Sequence, residues 1–341
     1  MKYDVTIGIP VYRAEPYIRK TMESALSQTY PSIEYLIVDD GGDDQSIAII
    51  KELSISHPRG KDIRMLSHPQ NEGVSASRNQ IIDEAKGDYL FFLDADDLIV
   101  EDAIAMLIQS IRQYEAEIAF GSYERIDLAG KRETYQYPTI QLLGNDQLAE
   151  FAYRKYAGIQ ASACNYLVKT SLLRESGLRF IASNYWEDFV FTFDLVTYIS
   201  RAVLLSDITY MYICRENSLS HYQGRELVTK DEILRNIHTI DHLKNTSSII
   251  YNKVFFPNRC FIIMMTDFYI ACHIIKRRNN IVPPLSNQEI KAFFSHPATF
   301  RQICSFRQSR LKNMAFYLLG KLPSSLCVAT IKLIEKTKKK L

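Results

Sequence analysis

Residues 89–97 read YLFFLDADD, an uninterrupted apolar run that ends in three aspartates. Five apolar residues in succession are typical of a strand covered on both faces of a parallel sheet. Side chains alternate along a strand, so Asp94 and Asp96 are expected to point the same way at its end. Two carboxylates placed there suit a divalent cation, with Asp96 as the principal ligand and Asp94 directed to the cation or to a ribose. Asp97 is expected to cap the next helix or to support the other two.

Outward from this run, short apolar segments alternate with segments of helical periodicity through the first half of the chain. Strands separated by helices indicate right-handed βαβ units, and therefore an α/β fold with a mostly parallel sheet flanked by helices. The predicted strands are 5–9, 34–38, 63–66, 89–93 and 117–120. The predicted helices between them are 17–28, 45–56, 74–85 and 101–114.

Polar or turn-forming residues follow three of the predicted strands. The first strand leads into Pro10, Val11 and Tyr12, the second into Asp39 and Asp40, and the fourth into the aspartates described above. Each group alone is an ordinary turn. Ligands of parallel sheets bind beyond the carboxyl ends of the strands, so the three groups together predict a site for a nucleotide, its ribose and a cation.

Beyond about residue 225 the strand signals fade, and helical periodicity covers 226–244, 253–278, 286–294 and 310–319. We therefore predict an α/β domain at 1–225 and a helical C-terminal region at 226–341. The most apolar later stretch, 261–275, contains Asp267 and His273 and is shorter than the roughly 20 residues that cross a bilayer. No transmembrane helix is predicted from it.

Composition restricts the class of protein. The chain has 341 residues, of which 47% are hydrophobic, so it is long and apolar enough to bury a core. Its formal net charge is only +2, so the molecule as a whole has no strong positive field that would attract nucleic acid. No nucleic-acid partner is expected. The six cysteines form no CxxC pair, and a charged residue comes too early at the N-terminus for a secretory signal. A cytoplasmic location is expected.

Basic residues are concentrated at the C-terminus, where nine lysines and arginines from Arg307 onward accompany a lone Glu335. Apolar residues between Leu326 and Ile334 flank Lys332 and lead into a lysine run. An amphipathic segment of this kind can lie on the inner face of an anionic membrane as a peripheral contact. A helix packed on the protein with a solvated tail explains the pattern equally well.

Six motifs occur in an order that resembles a family-2 glycosyltransferase with the GT-A fold. They are IGIPVY at 7–12, QTYP at 28–31, VDDG at 38–41, NEGVSASRN at 71–79, FLDADD at 92–97 and WED at 186–188. The resemblance covers roughly residues 3–220. It implies an enzyme that transfers a sugar, with inversion and with Mn²⁺ or Mg²⁺, from a nucleotide diphosphate sugar to an acceptor hydroxyl. Cell-surface glycan or polysaccharide assembly is the expected setting, with a glycan or a lipid-linked acceptor.

For the donor, the resemblance implies that Pro10, Val11 and Tyr12 line the base pocket and that Asp39 accepts a hydrogen bond from the base. A carboxylate in that position suits the ring N–H of uracil, and guanine as well, so UDP is favoured but not settled. Arg78 is implied to reach the diphosphate, for which a planar guanidinium is well suited. Judged from the sequence pattern alone, Arg78 is an ordinary solvated charge on the surface of a helix.

For the acceptor, the resemblance assigns the catalytic base to Asp188 and a neighbouring orienting role to Glu187. Asp188 precedes a predicted helix at 189–198, whose dipole is expected to keep the carboxylate ionised. Trp186 suits stacking on a sugar face, and equally the anchoring of a core. An acidic helix start with no further role is the plain alternative.

The segment 215–221 follows the last strand-like run and resembles the segment that closes over the donor diphosphate in the family. It implies that His221 completes the metal shell or contacts phosphate, although a loop histidine without a role fits as well. The acceptor, the linkage and any homo-oligomer remain open.

Two other classes compete with this interpretation. Phosphotransferases of the haloacid-dehalogenase type also place Asp-x-Asp after an apolar strand, with one aspartate as nucleophile. Their motif lies on the first strand, whereas here it follows about the fourth. A catalytically silent homologue that scaffolds a complex is the other alternative, and the joint presence of Asp96, Arg78 and Asp188 argues against it.

Overall fold

The computed structural model describes residues 3–154, 158–183, 185–215 and 227–338. The chain packs as two compact units. The first comprises Met1–Leu148 and Ala161–Leu219, and the second comprises Ala149–Gln160 and Ser220–Leu341. The segment Ala149–Gln160 thus packs with the second unit although it precedes the predicted boundary at residue 225.

A ten-stranded sheet forms the centre of the first unit. Its strands are β1 (Tyr3–Val11), β2 (Ile33–Asp39), β3 (Ile63–Ser67), β4 (Gly87–Phe92), β5 (Leu98–Ile99), β6 (Ile118–Ile126), β7 (Arg132–Tyr135), β8 (Ile140–Leu143), β9 (Tyr166–Lys169) and β10 (Arg201–Ile213). The order is β3-β2-β1-β4-β9-β6-β10-β5, with β7 paired to β6 and β8 paired to β10.

The sheet has a parallel half and a mixed half. Strands β3, β2, β1 and β4 are all parallel neighbours, as the alternation of strands and helices predicts. Strand β9 then enters antiparallel between β4 and β6, while β6 and β10 pair in parallel. The first six residues of β2 are all buried, as expected for a strand covered on both faces. The predicted α/β fold is confirmed.

Seven helices lie in the described residues of the first part of the chain, six of them wholly within the first unit. They are α1 (Ile18–Leu26), α2 (Ser46–Ser56), α3 (Val74–Glu84), α4 (Ala103–Tyr114), α5 (Gln147–Arg154), α6 (Thr170–Ser176) and α7 (Glu187–Leu195), of which α5 crosses into the second unit. The helices bury residues at helical spacing, such as Ile18, Met22 and Ala25 of α1. This periodicity is why the sequence predicts α1 to α4 to within about two residues at each end.

The described part of the second unit is largely helical. Its helices are α8 (Lys230–Ser247), α9 (Phe256–Lys276), α10 (Asn287–Ala292), α11 (Phe300–Ser305), α12 (Arg310–Lys321) and α13 (Ser324–Lys338). Two short strands, β11 (Val228–Thr229) and β12 (Ile281–Val282), pair in parallel and were not predicted, because two residues carry no periodic signal.

Helix α9 is the one helix of the described ranges that is long and apolar enough to cross a membrane, with a mean hydropathy of 1.2. Most of that apolar window, 61%, is buried in the structure. The helix also carries Arg259 and Asp267, both fully buried. Arg259 donates to the Tyr153 hydroxyl at 2.7 Å, and Asp267 pairs with Lys244 at 2.8 Å.

Candidate active site

The aspartate motif lies in a turn that begins where β4 ends, at Phe92. The amide of Asp97 donates to the carbonyl of Asp94 at 3.1 Å, which closes the turn. Strand alternation therefore does not decide where Asp94 and Asp96 point, because neither belongs to the strand. Sequence reasoning placed the strand end one residue too late.

Asp97 supports this turn and does not cap a helix. Helix α4 begins at Ala103, and the Asp97 carboxylate, 1% exposed, accepts from the Tyr210 hydroxyl at 2.7 Å and from the Ile213 amide at 2.8 Å. Burial raises the pKa of the Asp97 carboxyl to about 8, and the nearby charge of Asp94 acts in the same direction. The predicted capping role is therefore wrong, and the carboxylate joins the turn to β10 instead.

Arg78 lies at the centre of the acidic cluster. Its guanidinium, 3% exposed, donates to Asp94 at 2.8 Å and to Glu187 at 3.3 Å, and it also pairs with Asp188. The ring of Phe180 lies 5.4 Å from the guanidinium carbon. The family resemblance implies a diphosphate contact for this arginine, and that stays a prediction. In the structure it pairs with three carboxylates, which come from the motif turn and from the start of α7.

One guanidinium faces three carboxylates, so the cluster carries excess negative charge. Burial raises the pKa of Asp188 to about 7, the charges of Glu187 and Asp94 raise it further, and Arg78 opposes them. Burial also raises the pKa of Glu187. The sequence predicts that the helix dipole favours the ionised form of Asp188; in the structure, the loss of solvation acts in the opposite direction to that dipole.

A second arginine, Arg215, pairs with Asp96. Its guanidinium carbon lies 4.7 Å from the centroid of the Tyr17 ring, and burial lowers its pKa from the ordinary value. Sequence analysis did not name Arg215 as a site residue, although its position two residues after the end of β10 is the kind of strand-end signal that identified the others. His221, predicted to complete the metal shell, lies outside the described residues.

The acidic turn fits a hard divalent cation bound in part by its substrate. The Asp94 and Asp96 side chains are 30% and 12% exposed, so oxygen atoms of both are within reach of solvent. Within residues 3–154, 158–183, 185–215 and 227–338, no group of three or more His, Cys, Asp or Glu could hold a metal. Mg²⁺ commonly takes one or two carboxylates and completes its shell with water and substrate phosphates. The two aspartates suit that kind of binding.

The nucleotide end of the site is formed where β1 and β2 end. Tyr12 is 42% exposed, whereas Val11 is only 1% exposed and contributes its backbone carbonyl to the Asp40 amide at 2.9 Å. The Val11 side chain is thus buried, and the part of the prediction that concerns Val11 stays a prediction. Pro10 is half-buried, and Asp39 is partly exposed and accepts from the Gly42 amide at 3.2 Å.

Asp40 is buried and anchors a loop. Its two oxygens accept from the backbone amides of Glu72 and Gly73, each at 2.9 Å, and one of them lies 2.7 Å from His68 Nδ1. Asp40 was predicted to bind the donor; the structure commits its carboxylate to the loop before α3, which carries Arg78.

Trp186 packs in an aromatic group at the start of α7. Its ring lies edge-on to Tyr185 and Phe189, with centroids 5.1 and 5.6 Å away. The side chain is half-buried, which suits an anchor for the acidic residues that follow it.

Comparisons with known proteins place these features in a family. The model of Glycosyl transferase family 2 matches residues 6–175. Glycosyltransferase GlyA of Streptococcus pneumoniae is 32% identical over 63% of this chain, which spans only 31% of GlyA. An uncharacterized glycosyltransferase of Haemophilus influenzae is 30% identical over 59% of this chain and 75% of its own length.

A similar fold occurs in the crystal structure of Staphylococcus aureus TarS 1–349 in complex with UDP-GlcNAc. It superposes with a TM-score of 0.62 over 94% of this chain and 90% of that one, at 18% identity. The sequence match and the fold agree with the order of motifs along the chain, and they leave no support for a phosphotransferase. The chain belongs to glycosyltransferase family 2 and has the GT-A fold.

Proposed function

We propose that this enzyme transfers a sugar from a UDP-linked donor to an acceptor hydroxyl, with inversion and with a divalent cation, in the assembly of a cell-surface glycan. The observation that carries the proposal is the Arg78 cluster. It joins the turn suited to a cation, through Asp94, to the carboxylate suited to be a base, Asp188. TarS, which has a similar fold, binds UDP-GlcNAc, and this supports a uridine donor, whereas PcManGT, also of similar fold, binds GDP-Man.

Asp188 acts on the acceptor. It takes the proton of the acceptor hydroxyl while that oxygen attacks the anomeric carbon from the face opposite the diphosphate, which inverts the configuration. A base is most effective when its pKa is near the working pH. The raised pKa of Asp188, about 7, meets this condition better than an ordinary carboxylate would. Glu187 and Arg78 orient it.

Asp94 and Asp96 act on the donor. They would hold the Mn²⁺ or Mg²⁺, which would supply positive charge to the departing diphosphate. Asp96 pairs with Arg215 in the structure, so this guanidinium lies where negative charge is expected to develop. Arg215 therefore adds a second positive group beside the leaving diphosphate, and Arg78 keeps Asp94 in place.

The proposal also includes a cytoplasmic location and a glycan or lipid-linked acceptor. Cys304 is a free and exposed thiol. Exposed thiols persist most readily in a reducing compartment, which supports the cytoplasm.

The donor is tested by thermal unfolding with a panel of nucleotide sugars, with and without Mn²⁺. A ligand at a hundredfold excess over its Kd stabilises the protein by about 2.7 kcal/mol. We expect a UDP-sugar to do so only with Mn²⁺, and Asp96→Ala to abolish the effect of the metal. Asp207→Ala, at an exposed aspartate of β10, is the matched control. Equal stabilisation of Asp96→Ala and wild type by Mn²⁺ and donor would contradict the metal site.

A further inference from the structure

Helix α12 exposes apolar side chains on one face. Leu311 and Leu318 are 80% and 53% exposed, and Ala315 between them is exposed as well. The spacing i, i+4, i+7 places the three on one stripe. Asn313, on the opposite side of the helix, is buried, and so is Leu319 beside the stripe. The helix is thus anchored by one face and presents leucines to solvent with the other.

Helix α13 repeats the arrangement. Cys327, Val328 and Ile331 are buried, whereas Leu326 and Leu333 are 55% and 65% exposed at a spacing of seven residues. Ile334 is also exposed, at 38%. Single exposed leucines are ordinary on soluble proteins. Five exposed Leu and Ile side chains at helical spacing on two consecutive helices require another explanation.

Basic side chains accompany these leucines. Six exposed lysines and arginines occur on and next to the two helices, and Glu335 is the only acidic residue between 307 and 338. They are Arg307, Arg310, Lys312, Lys321, Lys332 and Lys336. A helix face that combines leucines with cations is typical of segments that lie in the headgroup region of anionic membranes.

We propose that the exposed leucines and basic residues of α12 and α13, here called the basic–apolar surface, dock on an anionic lipid bilayer. A second copy of the chain would bring the same positive charge against it, so self-association is opposed by repulsion. A bilayer with acidic headgroups satisfies both the leucines and the cations. This inference goes beyond sugar transfer and does not depend on which donor the enzyme uses.

A recess in the second unit offers a place for a headgroup phosphate. The cavity has a volume of about 350 Å³, and its lining includes Lys291, His296, Tyr317 and Lys321. The ammonium of Lys321 lies 5.1 Å from the centroid of the Tyr317 ring. Because Tyr317 and Lys321 belong to α12, the recess adjoins the basic–apolar surface, and two lysines there favour an anion.

The test is co-sedimentation of the full chain with vesicles of mixed phosphatidylcholine and phosphatidylglycerol, and with vesicles of phosphatidylcholine alone. We expect pelleting with the anionic vesicles at low salt and release at high salt. Each Lys→Gln change at Lys321 or Lys332 should lower the partition about fivefold, which corresponds to about 1 kcal/mol. The pair Leu311→Ser and Leu318→Ser should lower it at least about tenfold.

Matched controls are Leu128→Ser and Lys51→Gln, which change an exposed leucine and an exposed lysine of the first unit. Point variants are preferable to deletion of α13, because deletion would remove the buried Cys327, Val328 and Ile331 and expose the surface of α9 and α10 against which α13 packs. Circular dichroism verifies the fold of each variant. The proposal is overturned if the surface variants and the controls pellet alike, or if the wild-type chain fails to bind anionic vesicles. Concentration-dependent dimers without vesicle binding would identify a second copy as the occupant.

Discussion

The chemistry at the scale of single residues depends on burial more than on residue type. Asp188 is an ordinary aspartate in the sequence, and an acidic residue at a helix start is usually ionised. In the structure, loss of solvation and the neighbouring carboxylates raise its pKa to about 7, even though Arg78 pairs with it. The same residue therefore changes from a permanently charged group to a base that titrates near neutrality.

This leads to a pH-dependence prediction for the wild-type enzyme and for Asp188→Asn. Only deprotonated Asp188 accepts a proton, so kcat/KM should rise about tenfold per pH unit below pH 7 and level off above it. Asp188→Asn keeps the shape but loses the base, so kcat should fall by about 10²- to 10⁴-fold while donor affinity stays nearly unchanged.

The measurement is initial-rate kinetics across this pH range, with donor affinity from the thermal assay. Asp231→Asn is the matched control, because Asp231 also lies in the first turn of a helix, α8, and is exposed. A near-wild-type rate for Asp188→Asn, or a flat profile between pH 5 and 8, would remove Asp188 from the role of base.

At the scale of secondary-structure elements, the site is held by contacts between strand ends and the elements that follow them. Asp40, after β2, holds the loop that leads into α3 and thereby Arg78. Asp97, after β4, holds the end of β10 through Tyr210 and Ile213. Asp40 and Asp97 thus hold other parts of the site in position. This explains why the strand ends carry more aspartates than a bound cation needs as ligands.

Tyr210→Phe tests the link between β4 and β10. The variant removes the hydroxyl that donates to buried Asp97, which should cost about 1–3 kcal/mol of stability. We also expect weaker Mn²⁺-dependent donor binding, because the turn that carries Asp94 and Asp96 loses a support. Thermal unfolding and donor titration measure the two effects. Tyr114→Phe, at a hydroxyl that accepts only from Gln113 on the surface, is the control. If Tyr210→Phe lowers stability but leaves metal-dependent donor binding unchanged, Tyr210 has only a structural role and the prediction is contradicted.

At the scale of the whole molecule, each of the two units has its own core, and the second contains charge in its interior. Asp267 on α9 is fully buried, and burial raises its pKa to about 7. Lys244 on α8 pairs with it at 2.8 Å and also donates to the carbonyl of Phe293 at 2.6 Å. The pair joins α8 and α9, the two longest helices of this unit in the described ranges. The apolar residues of α9 belong to the core of the unit, and these two charged side chains lie within that core.

Lys244→Met should destabilise the protein more at high pH than at low pH. The variant leaves Asp267 buried without its cation, a loss of about 3 kcal/mol or more when the carboxyl is charged. Below pH about 7, Asp267 is already protonated in the folded protein. The variant therefore loses less stability at pH 5 than at pH 8. Thermal unfolding at the two pH values measures the difference, with Lys276→Met, at an exposed lysine of α9, as control. An equal loss at both pH values would show that Asp267 does not titrate in this range.

The sequence by itself determined the class of fold, the strands and helices of the first half, and most of the residues from which the candidate site is built. It could do so because periodicity and turn chemistry are local: an apolar run of five residues followed by aspartates specifies a buried strand end whatever surrounds it. The order of such motifs along the chain was enough to identify the family.

Only the tertiary structure decided what those residues do to one another. Arg78 meets Asp188 across 110 positions of the chain, and no local pattern records that contact. The same holds for Arg215 with Asp96, for the buried carboxylate of Asp40 and for the raised pKa of Asp188. Solvation and charge depend on which elements pack together, and packing between distant segments is a property of the folded chain and not of any stretch within it.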